Sequence, residues 1–325
     1  MNSITRTSRR EEVTEFEVNV SRSSVAELEG RRQRRQVADL VHAIPELMKI
    51  RITFFVGMSA AFGYIIASGG LRIGMILPVT GIFVMACASA ATNHYQEIDT
   101  DAMMHRTNKR PLPAGMVTPA FVMALIVSLA VTGSLLVLLT GNGAALVLSW
   151  LAFFSYNLIY TPMKKATPFA VIPGSFVGSF PVMAGWAASG GNLFDPRLMA
   201  IAAFFFIWQI PHFWLLMDLY SADYERAKFP TLRMSFSEKT VAIMIFAWMV
   251  ILAASSFFFV TTGVVGSTVA QAAVAALGFW LVTGTFSIIV HSGEKHASKS
   301  AFMKINIYVL AVTLVVMIDK VIGRI

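Results

Sequence analysis

Long apolar runs alternate with short polar connections along most of this 325-residue chain. An apolar run of about 18 or more residues is long enough to cross a bilayer as an α-helix. Nine runs of this kind occur, at 52–69, 74–92, 118–138, 143–160, 169–188, 198–217, 240–261, 268–290 and 303–321. Within them apolar and polar residues do not alternate, as they would in the strands of a membrane barrel. The pattern therefore predicts an all-α, polytopic membrane protein, built as a bundle of nine transmembrane helices.

The first 45 residues have a different character from the rest of the chain. They are rich in Arg, Glu and Ser, they contain RRQRR at 31–35, and no apolar run precedes residue 52. A secretory signal would need an early apolar stretch, and transit peptides avoid acids such as those clustered at 11–17. We expect 1–45 to be a mobile cytoplasmic tail, either solvated or lying partly along the lipid headgroups, and 46–325 to be the transmembrane domain.

The distribution of positive charge predicts the orientation. If the N-terminus is cytoplasmic, 22 of the 26 Lys and Arg residues precede the first helix or fall at connections on the same side. Cytoplasmic connections of membrane proteins carry such an excess of Lys and Arg. Topology and anionic lipid headgroups thus account for the net charge of +8, and we expect no nucleic-acid partner.

The first candidate site follows the second run, in the stretch NHYQEIDTDAMMHRTNKRP at 93–111. If the helix continues through it, Asn93, Glu97 and Asp101 lie on one face, at i, i+4 and i+8. Carboxylates on one stripe repel one another unless a cation lies between them, and hard oxygen ligands suit Mg²⁺ shared with substrate phosphates. Three cations that could bind phosphate follow, Arg106, Lys109 and Arg110. An ordinary solvated loop of acids and bases is the alternative.

A second polar cluster is WQIPHFWLLMDLYSADYERAKFP at 208–230. Pro211 removes a backbone hydrogen bond and can kink the helix. Asp223 could face the first acidic cluster and complete a metal or diphosphate site, or it could merely pair with Arg226 at i+3. His212 could equally be a histidine whose hydrogen bonds are satisfied within the bundle.

A third cluster is SYNLIYTPMKK at 155–165. Tyr156 and Tyr160 share a helix face, which Lys164 continues at i+8. Tyrosine hydroxyls can donate hydrogen bonds to a diphosphate, and their rings can stabilise a nearby carbocation. The alternative is an aromatic belt at the membrane interface with cytoplasmic lysines beside it.

These clusters together resemble the UbiA family of intramembrane prenyltransferases, whose first motif is N-x-x-x-D-x-x-x-D, and within it the haem O synthase group. The resemblance covers about 45–325 and is carried by ELMKIRITFF at 46–55, NHYQEIDTDAMMHRTNKRPLPAG at 93–115, YTPMKKATPFAVIPGSFVGSFPVMAGWAA at 160–188 and WQIPHFWLLMDLYSADYERAKFPTL at 208–232. Two positions depart from the family pattern. Glu97 stands where Asp is usual, and Ala227 stands where the second motif has an acid, which argues against a second three-acid metal site.

The resemblance implies a transferase that joins the farnesyl group of farnesyl diphosphate to a vinyl group of haem B, giving haem O in the haem A and terminal oxidase pathway. It implies a multi-pass protein of the bacterial cytoplasmic (inner) membrane, in contact with lipid, with its active site on the cytoplasmic side. The next haem-modifying enzyme or terminal oxidase assembly factors are the further partners expected.

The resemblance also implies roles for particular residues. The Mg²⁺ cofactor would be held by Asn93, Glu97, Asp101 and Asp223, which with Lys164 form the catalytic set. The diphosphate would be bound by Arg106, Lys109, Arg110, Tyr160 and Lys164. Haem or prenyl contacts would come from His212, Tyr156 and Trp214.

Two other functions compete with this interpretation. Within the same family, the acceptor could be a quinone-type aromatic compound rather than haem. An ion-coupled transporter would also keep ionisable groups among its helices, but transporters tend to place them near the bilayer midplane on broken helices. Here the acids cluster at the helix ends, which favours prenyl transfer.

Overall fold

A computed structural model describes residues 39–323. The chain divides into two compact units, 1–46 and 47–325. The first unit is described only from residue 39 onward, where it is helical, so the predicted tail lies almost entirely outside the described residues. Everything below concerns the second unit.

All regular structure in the described part of the chain is helical. Nine of the helices described there are long and apolar enough to cross a membrane. They are α1 Ile50–Ser68, α2 Ile73–Gln96, α3 Pro119–Leu138, α4 Gly143–Met163, α5 Pro168–Ala188, α6 Pro196–Leu219, α7 Glu238–Thr261, α8 Thr268–Val290 and α9 Lys295–Ile322. The predicted fold class and helix count are confirmed, and the bounds differ from the predicted ones by a few residues, except at the start of α9.

Several helices begin at a side chain that accepts a hydrogen bond from the first turn, which satisfies an otherwise unpaired backbone N–H. The capping residues of α3, α4, α6, α7 and α8 are Thr118, Asn142, Asp195, Ser237 and Ser267. Proline follows the cap of α3 and of α6, where its missing N–H costs nothing. These short polar signals mark where those five apolar runs become helices.

Close helix crossings depend on glycine. Gly63 of α1 lies against the backbone carbonyl of Val182, and Gly185 of α5 lies against that of Ala60. A Cβ on either glycine would overlap those atoms, so the α1–α5 contact requires both. In lipid such close backbone approach is a main source of helix association.

Large apolar side chains remain exposed on the outside of the bundle, for example Val131 of α3, Phe279 of α8 and Ile307 of α9. Exposure of so much apolar surface is unfavourable in water, whereas contact of the same surface with lipid is not. Inside, Phe62, Trp186 and other large side chains form the core. The chain is therefore a multi-pass integral membrane protein.

One end of the bundle carries the polar connections. It comprises the ends of α2, α4, α6 and α8 and the starts of α1, α3, α5, α7 and α9, together with the connections 97–118 and 220–237. A hydrogen bond from Trp214 Nε1 to the carbonyl oxygen of Pro168 ties the last part of α6 to the start of α5. Asp218 accepts from Arg233 and Ser298, which ties the 220–237 connection to α6 and α9. We call this region the polar end.

Candidate active site

The predicted acidic stripe lies at the polar end, on a helix that is broken rather than continuous. The α-helix of α2 ends at Gln96, and Glu97 adopts φ −109° and ψ 12° before a short helix, Ile98–Met103. The Glu97 N–H still donates to the Asn93 carbonyl oxygen at 3.1 Å, and the Asp101 N–H donates to that of Glu97 at 2.7 Å. The i, i+4 spacing thus survives the break. Asn93, Glu97 and Asp101 are only 1%, 4% and 1% exposed.

Each of these three buried acceptors is bonded to a cation from a different segment of the chain. Burying a carboxylate without a partner is costly, so these bonds explain how the stripe can be buried. The pairs are Lys49 Nζ to Asn93 Oδ1 at 2.7 Å, Arg110 Nη1 to Asp101 Oδ2 at 2.6 Å, and Lys164 to Glu97. We call these six residues the charge cluster.

The charge cluster shifts the pKa values of its members. Burial alone would raise the pKa of Glu97, but the Lys164 ammonium, together with Lys49 and Arg110, more than offsets this effect, so the pKa is lowered. Burial would lower the pKa of Lys164, but the Glu97 carboxylate raises it. Both groups are therefore charged at neutral pH. For Lys49, burial, reinforced by nearby Arg110, lowers the pKa to about 7.

Asp101 retains one buried carboxylate oxygen, Oδ1, that has no hydrogen-bond partner among the described residues. A buried anionic oxygen of this kind fits a hard cation such as Mg²⁺. Within 39–323, no three His, Cys, Asp or Glu side chains are grouped closely enough to enclose a metal ion. The donors fit Mg²⁺ that keeps several waters and shares its coordination with substrate phosphates, rather than an all-protein cage.

Asp223 brings the second polar cluster against the first. Its carboxylate accepts hydrogen bonds from the backbone N–H groups of His105, at 3.1 Å, and Arg106, at 3.3 Å. It also lies 3.6 Å from Arg226 Nη1, the i+3 pair considered from the sequence. The two longest polar connections are thus joined through this one side chain.

An apolar cluster supports the same junction. Met104, Ala227 and Phe229 are buried together, with Tyr224 packed against them. An acid at position 227 would be buried in this cluster, away from water. The departure from the family pattern at Ala227 therefore has a packing reason.

The cations predicted to bind phosphate divide into two groups. Arg110 and Lys164 point into the charge cluster through their pairs with Asp101 and Glu97. Arg106 is exposed and lies 4.9 Å from the centroid of the Tyr220 ring. Lys109 is exposed as well.

The aromatic side chains predicted on α4 lie beside the charge cluster. Tyr160 is stacked between Tyr156, at a ring-centroid distance of 5.6 Å, and Phe213 of α6, at 5.0 Å. The Lys164 ammonium lies 5.6 Å from the Tyr160 ring. The last turns of α4, Ser155–Tyr160, are a π-helix, a form that is frequent at functional sites.

The remaining predicted residues lie on α6. Trp214 is buried, and its indole N–H is occupied by the Pro168 carbonyl oxygen, so it supports the start of α5. His212 lies between the rings of Trp208 and Phe302, each at a centroid distance of 5.0 Å. Its Nδ1 is 3.0 Å from Oδ1 of Asn306 on α9.

Three residues of this region were missed by the sequence reasoning. Lys49 resembled an ordinary positive anchor at a helix start, and only the fold brings it to Asn93. Thr161, whose hydroxyl accepts from Asn93 Nδ2 at 3.2 Å, carried no signal. Asn306 did carry one, since an amide within an apolar run needs a partner.

Comparison with known proteins identifies relatives over most of the chain. The UbiA prenyltransferase family model matches residues 53–308. The protoheme IX farnesyltransferase of Oleidesulfovibrio alaskensis is 35% identical over 192 residues, which are 59% of this chain and 68% of that protein. The protoheme IX farnesyltransferase of Geobacter sulfurreducens is 33% identical over 64% of this chain and 77% of its own length.

Solved structures share the fold. A structure of digeranylgeranylglyceryl phosphate synthase matches with a TM-score of 0.71 at 14% identity, over 86% of this chain and 98% of that chain. A UbiA homologue from Archaeoglobus fulgidus bound to GPP and Mg²⁺ matches with a TM-score of 0.63 at 12% identity, over 84% of this chain and 99% of that chain. At these identities the likeness concerns the fold alone.

Proposed function

Because the chain belongs to the UbiA prenyltransferase family, we propose that it transfers the farnesyl group of farnesyl diphosphate to a vinyl group of haem B, with diphosphate leaving and water supplying a hydroxyl group and releasing a proton, to give haem O. Relatives that carry the name protoheme IX farnesyltransferase, at 29% to 35% identity, support the choice of substrates. The observation that carries the proposal is the charge cluster, in which three buried acceptors and three cations meet at the end of an otherwise apolar bundle.

Prenyl transfer requires the bond between the allylic carbon and the diphosphate oxygen to break, so negative charge grows on the leaving group. Fixed cations aimed at that charge lower the barrier. Pairs with Glu97 and Asp101 hold Lys164 and Arg110 in the charge cluster, and we propose that the diphosphate binds there. Arg106 and Lys109 lie on the surface of the 97–118 connection. They add positive charge at the entrance to the proposed diphosphate site.

The residues that would hold Mg²⁺ are Asn93, Glu97 and Asp101, with Asp223 as the fourth candidate. The unpaired Asp101 Oδ1 supports this assignment, and the A. fulgidus homologue bound to GPP and Mg²⁺ supports the choice of metal. When bound, Mg²⁺ would supply Lewis-acid stabilisation of the departing diphosphate. The side chains of this chain orient the diphosphate and balance its charge.

Departure of the diphosphate leaves an allylic cation on the farnesyl chain. The aromatic rings next to the charge cluster protect this cation. Tyr156, Tyr160 and Phe213 are stacked in series, and their faces carry the negative charge density that a cation favours. Excluding water from this region keeps the cation from reacting before the vinyl group attacks. His212 lies next along the series, 5.5 Å from Phe213 between ring centroids, and we assign it to the haem side.

We also propose that the polar end faces the cytoplasm in the bacterial inner membrane, because 14 of the 17 Lys and Arg residues within 39–323 lie toward that end. An impermeant thiol reagent tests this. In inverted membrane vesicles it should label Asn108→Cys at the polar end and spare Phe194→Cys at the opposite end. Both positions are exposed, whereas the native Cys87 is buried. The reverse labelling would contradict the orientation.

The reaction is tested by mass spectrometry of haems from a bacterial host that lacks its own haem O synthase. Expression of this chain should produce a haem heavier than haem B by one farnesyl group and one hydroxyl group. Asp101→Asn should abolish the product while the protein remains in the membrane, because it removes charge from a buried acceptor. Asp99→Asn, an exposed acid of the same stretch, is the matched control and should keep activity.

The outcomes separate the parts of the proposal. Haem B alone, from well-inserted protein, would exclude haem as the acceptor and direct the search to quinone-type aromatic compounds. An active Asp101→Asn variant would refute the role of Asp101 without touching the choice of acceptor.

A further inference from the structure

An asparagine on α9 is bonded both to His212 and to the backbone of its own helix. Asn306 Nδ2 donates a hydrogen bond to the backbone carbonyl oxygen of Phe302 at 2.6 Å. Asn306 Oδ1, the other end of the same amide, lies 3.0 Å from His212 Nδ1. The amide therefore bridges the α9 backbone and the imidazole on α6.

This bridge determines which nitrogen of His212 carries the proton. A carbonyl oxygen can only accept, so the amide must turn its NH₂ group toward Phe302 and its oxygen toward His212. The amide oxygen can only accept as well, so His212 Nδ1 must carry a hydrogen and donate it. A neutral imidazole has one N–H, which leaves a lone pair on Nε2.

We propose that Asn306 is a positioning residue that holds His212 with Nδ1 protonated, so that Nε2 serves as the axial ligand of the haem iron. The inference rests on the proposed haem acceptor. Histidines that bind metals usually donate their other ring N–H to a fixed acceptor, which sets the tautomer and makes the ligand more basic. Asn306 is such an acceptor for His212.

The surroundings of His212 favour iron ligation over proton transfer. Trp208, Phe213 and Phe302 place aromatic rings around the imidazole. An imidazole that acted as a general base would become a cation in this apolar setting, which is costly. An imidazole that binds iron stays neutral.

Ligation at His212 would also place the haem for reaction. Phe213, next to His212 in the chain, stacks on Tyr160, and Lys164 lies over that tyrosine. The ligand atom and the charge cluster are thus connected by one short series of rings. An iron held at Nε2 would keep the haem next to this series of rings.

Binding of haemin to the purified full chain in lipid nanodiscs tests the proposal without requiring turnover. The wild type should give the absorption spectrum of a histidine-ligated haem. His212→Gly should lose that spectrum, and added imidazole should restore it. Asn306→Leu, which removes the acceptor, should weaken haemin binding about 10- to 100-fold, the usual effect of losing such a partner.

The iron–histidine stretching band in the resonance Raman spectrum of the ferrous form isolates the role of Asn306. Asn306→Asp provides a stronger acceptor for the Nδ1 proton and should raise the frequency, whereas Asn306→Leu should lower it. A purely structural asparagine would not move this band in opposite directions. An unchanged band in both variants would overturn the positioning role.

Exposed histidines provide the control, because haemin can bind to them adventitiously. His291→Ala with His296→Ala should leave the spectrum unchanged, because both positions are exposed, the first between α8 and α9 and the second in the first turn of α9. If the wild type makes haem O but His212→Gly has the wild-type haem spectrum, the ligand assignment fails and the proposed function stands. If the wild type neither binds haemin nor makes haem O, the proposed function fails with it.

Discussion

Lys164 and Lys165 are neighbours in the sequence with very different surroundings. Lys164 pairs with the buried Glu97 carboxylate and lies over the rings of Tyr160 and Phe229, at 5.6 and 5.4 Å from their centroids. Lys165 is exposed. The same charge therefore has a partner at one position and only solvent at the next, and the pair of lysines offers a matched test of the charge cluster.

We expect Lys164→Met to reduce both stability and diphosphate binding. Removing one partner of a buried ion pair leaves the other charge unpaired, at a cost of about 3–5 kcal/mol. The melting temperature should fall, and the affinity for inorganic pyrophosphate should fall at least about tenfold, the equivalent of about 1.4 kcal/mol. Thermal melting and calorimetric titration in detergent measure the two effects.

Lys165→Met removes the same charge and should change neither quantity measurably, since exposed charges contribute little to stability. Equal losses in the two variants would mean that net positive charge at the polar end, rather than the pair with Glu97, binds the diphosphate.

Lys49 is unusual in its backbone as well as in its side chain. It adopts φ 47° and ψ 48° immediately before α1, a left-handed conformation that costs a residue with a Cβ about 1–2 kcal/mol. Burial also lowers its pKa to about 7. Lys49 thus combines a strained backbone with a buried amine, and it donates to Asn93. Such a combination is typical of a residue kept for function rather than for packing.

At the scale of elements, the π-helix at the end of α4 decides where Lys164 lies. A π-turn holds one more residue than an α-turn, and Thr161 Oγ1 donates to the Tyr156 carbonyl oxygen five residues earlier. Each residue of an α-helix turns the chain by about 100°. Loss of one residue here would rotate everything that follows and carry Lys164 away from Glu97.

Deletion of Leu158, an exposed residue of this segment, tests that register. The shortened protein should still insert into the membrane, because the helix remains long enough to span it. It should lose pyrophosphate binding and haem O formation, which titration and mass spectrometry measure. Leu158→Ala keeps the register and should behave as the wild type. Full activity of the deletion would show that the π-helix has no part in the site.

The sequence predicted the nine helices because hydropathy summed over about 20 residues is insensitive to any single position. It also predicted the shared face of Asn93, Glu97 and Asp101, since helical spacing is a local property. It did not predict the break at Glu97 or the π-helix, where local backbone geometry departs from regular α-helical spacing. The contact of Asp223 with the His105 and Arg106 backbone joins segments more than a hundred residues apart, and nothing local encodes it.

At the scale of the whole molecule, the charge cluster couples four separate segments of the chain. The start of α1, the end of α2, the 97–118 connection and the end of α4 each contribute a charged or amide group to it. Three of the four residues proposed to hold Mg²⁺, Asn93, Glu97 and Asp101, also accept bonds from cations. Two of the cations proposed to bind diphosphate, Arg110 and Lys164, are therefore partners of proposed metal ligands.

This arrangement predicts that Mg²⁺ and pyrophosphate assist each other in binding. Mg²⁺ alone must compete with three cations for its ligands, and pyrophosphate alone must compete with the acids. When both bind, acids turn to the metal and cations to the phosphates, so no buried charge loses its partner. Coupling of this kind is typically about 5- to 150-fold, and it must be equal in both directions.

Titration of Mg²⁺ into the purified protein with and without pyrophosphate measures the coupling, with free concentrations corrected for the complex that the two form in solution. We expect at least about fivefold tighter Mg²⁺ binding when pyrophosphate is present. The same factor should appear for pyrophosphate when Mg²⁺ is present. Lys164→Met should reduce the coupling, because Glu97 then binds Mg²⁺ without first releasing a cation, whereas Lys165→Met should preserve it. Independent binding of the two ligands in the wild type would show that the bonds within the charge cluster are not exchanged, and that its cations and acids act as separate sites.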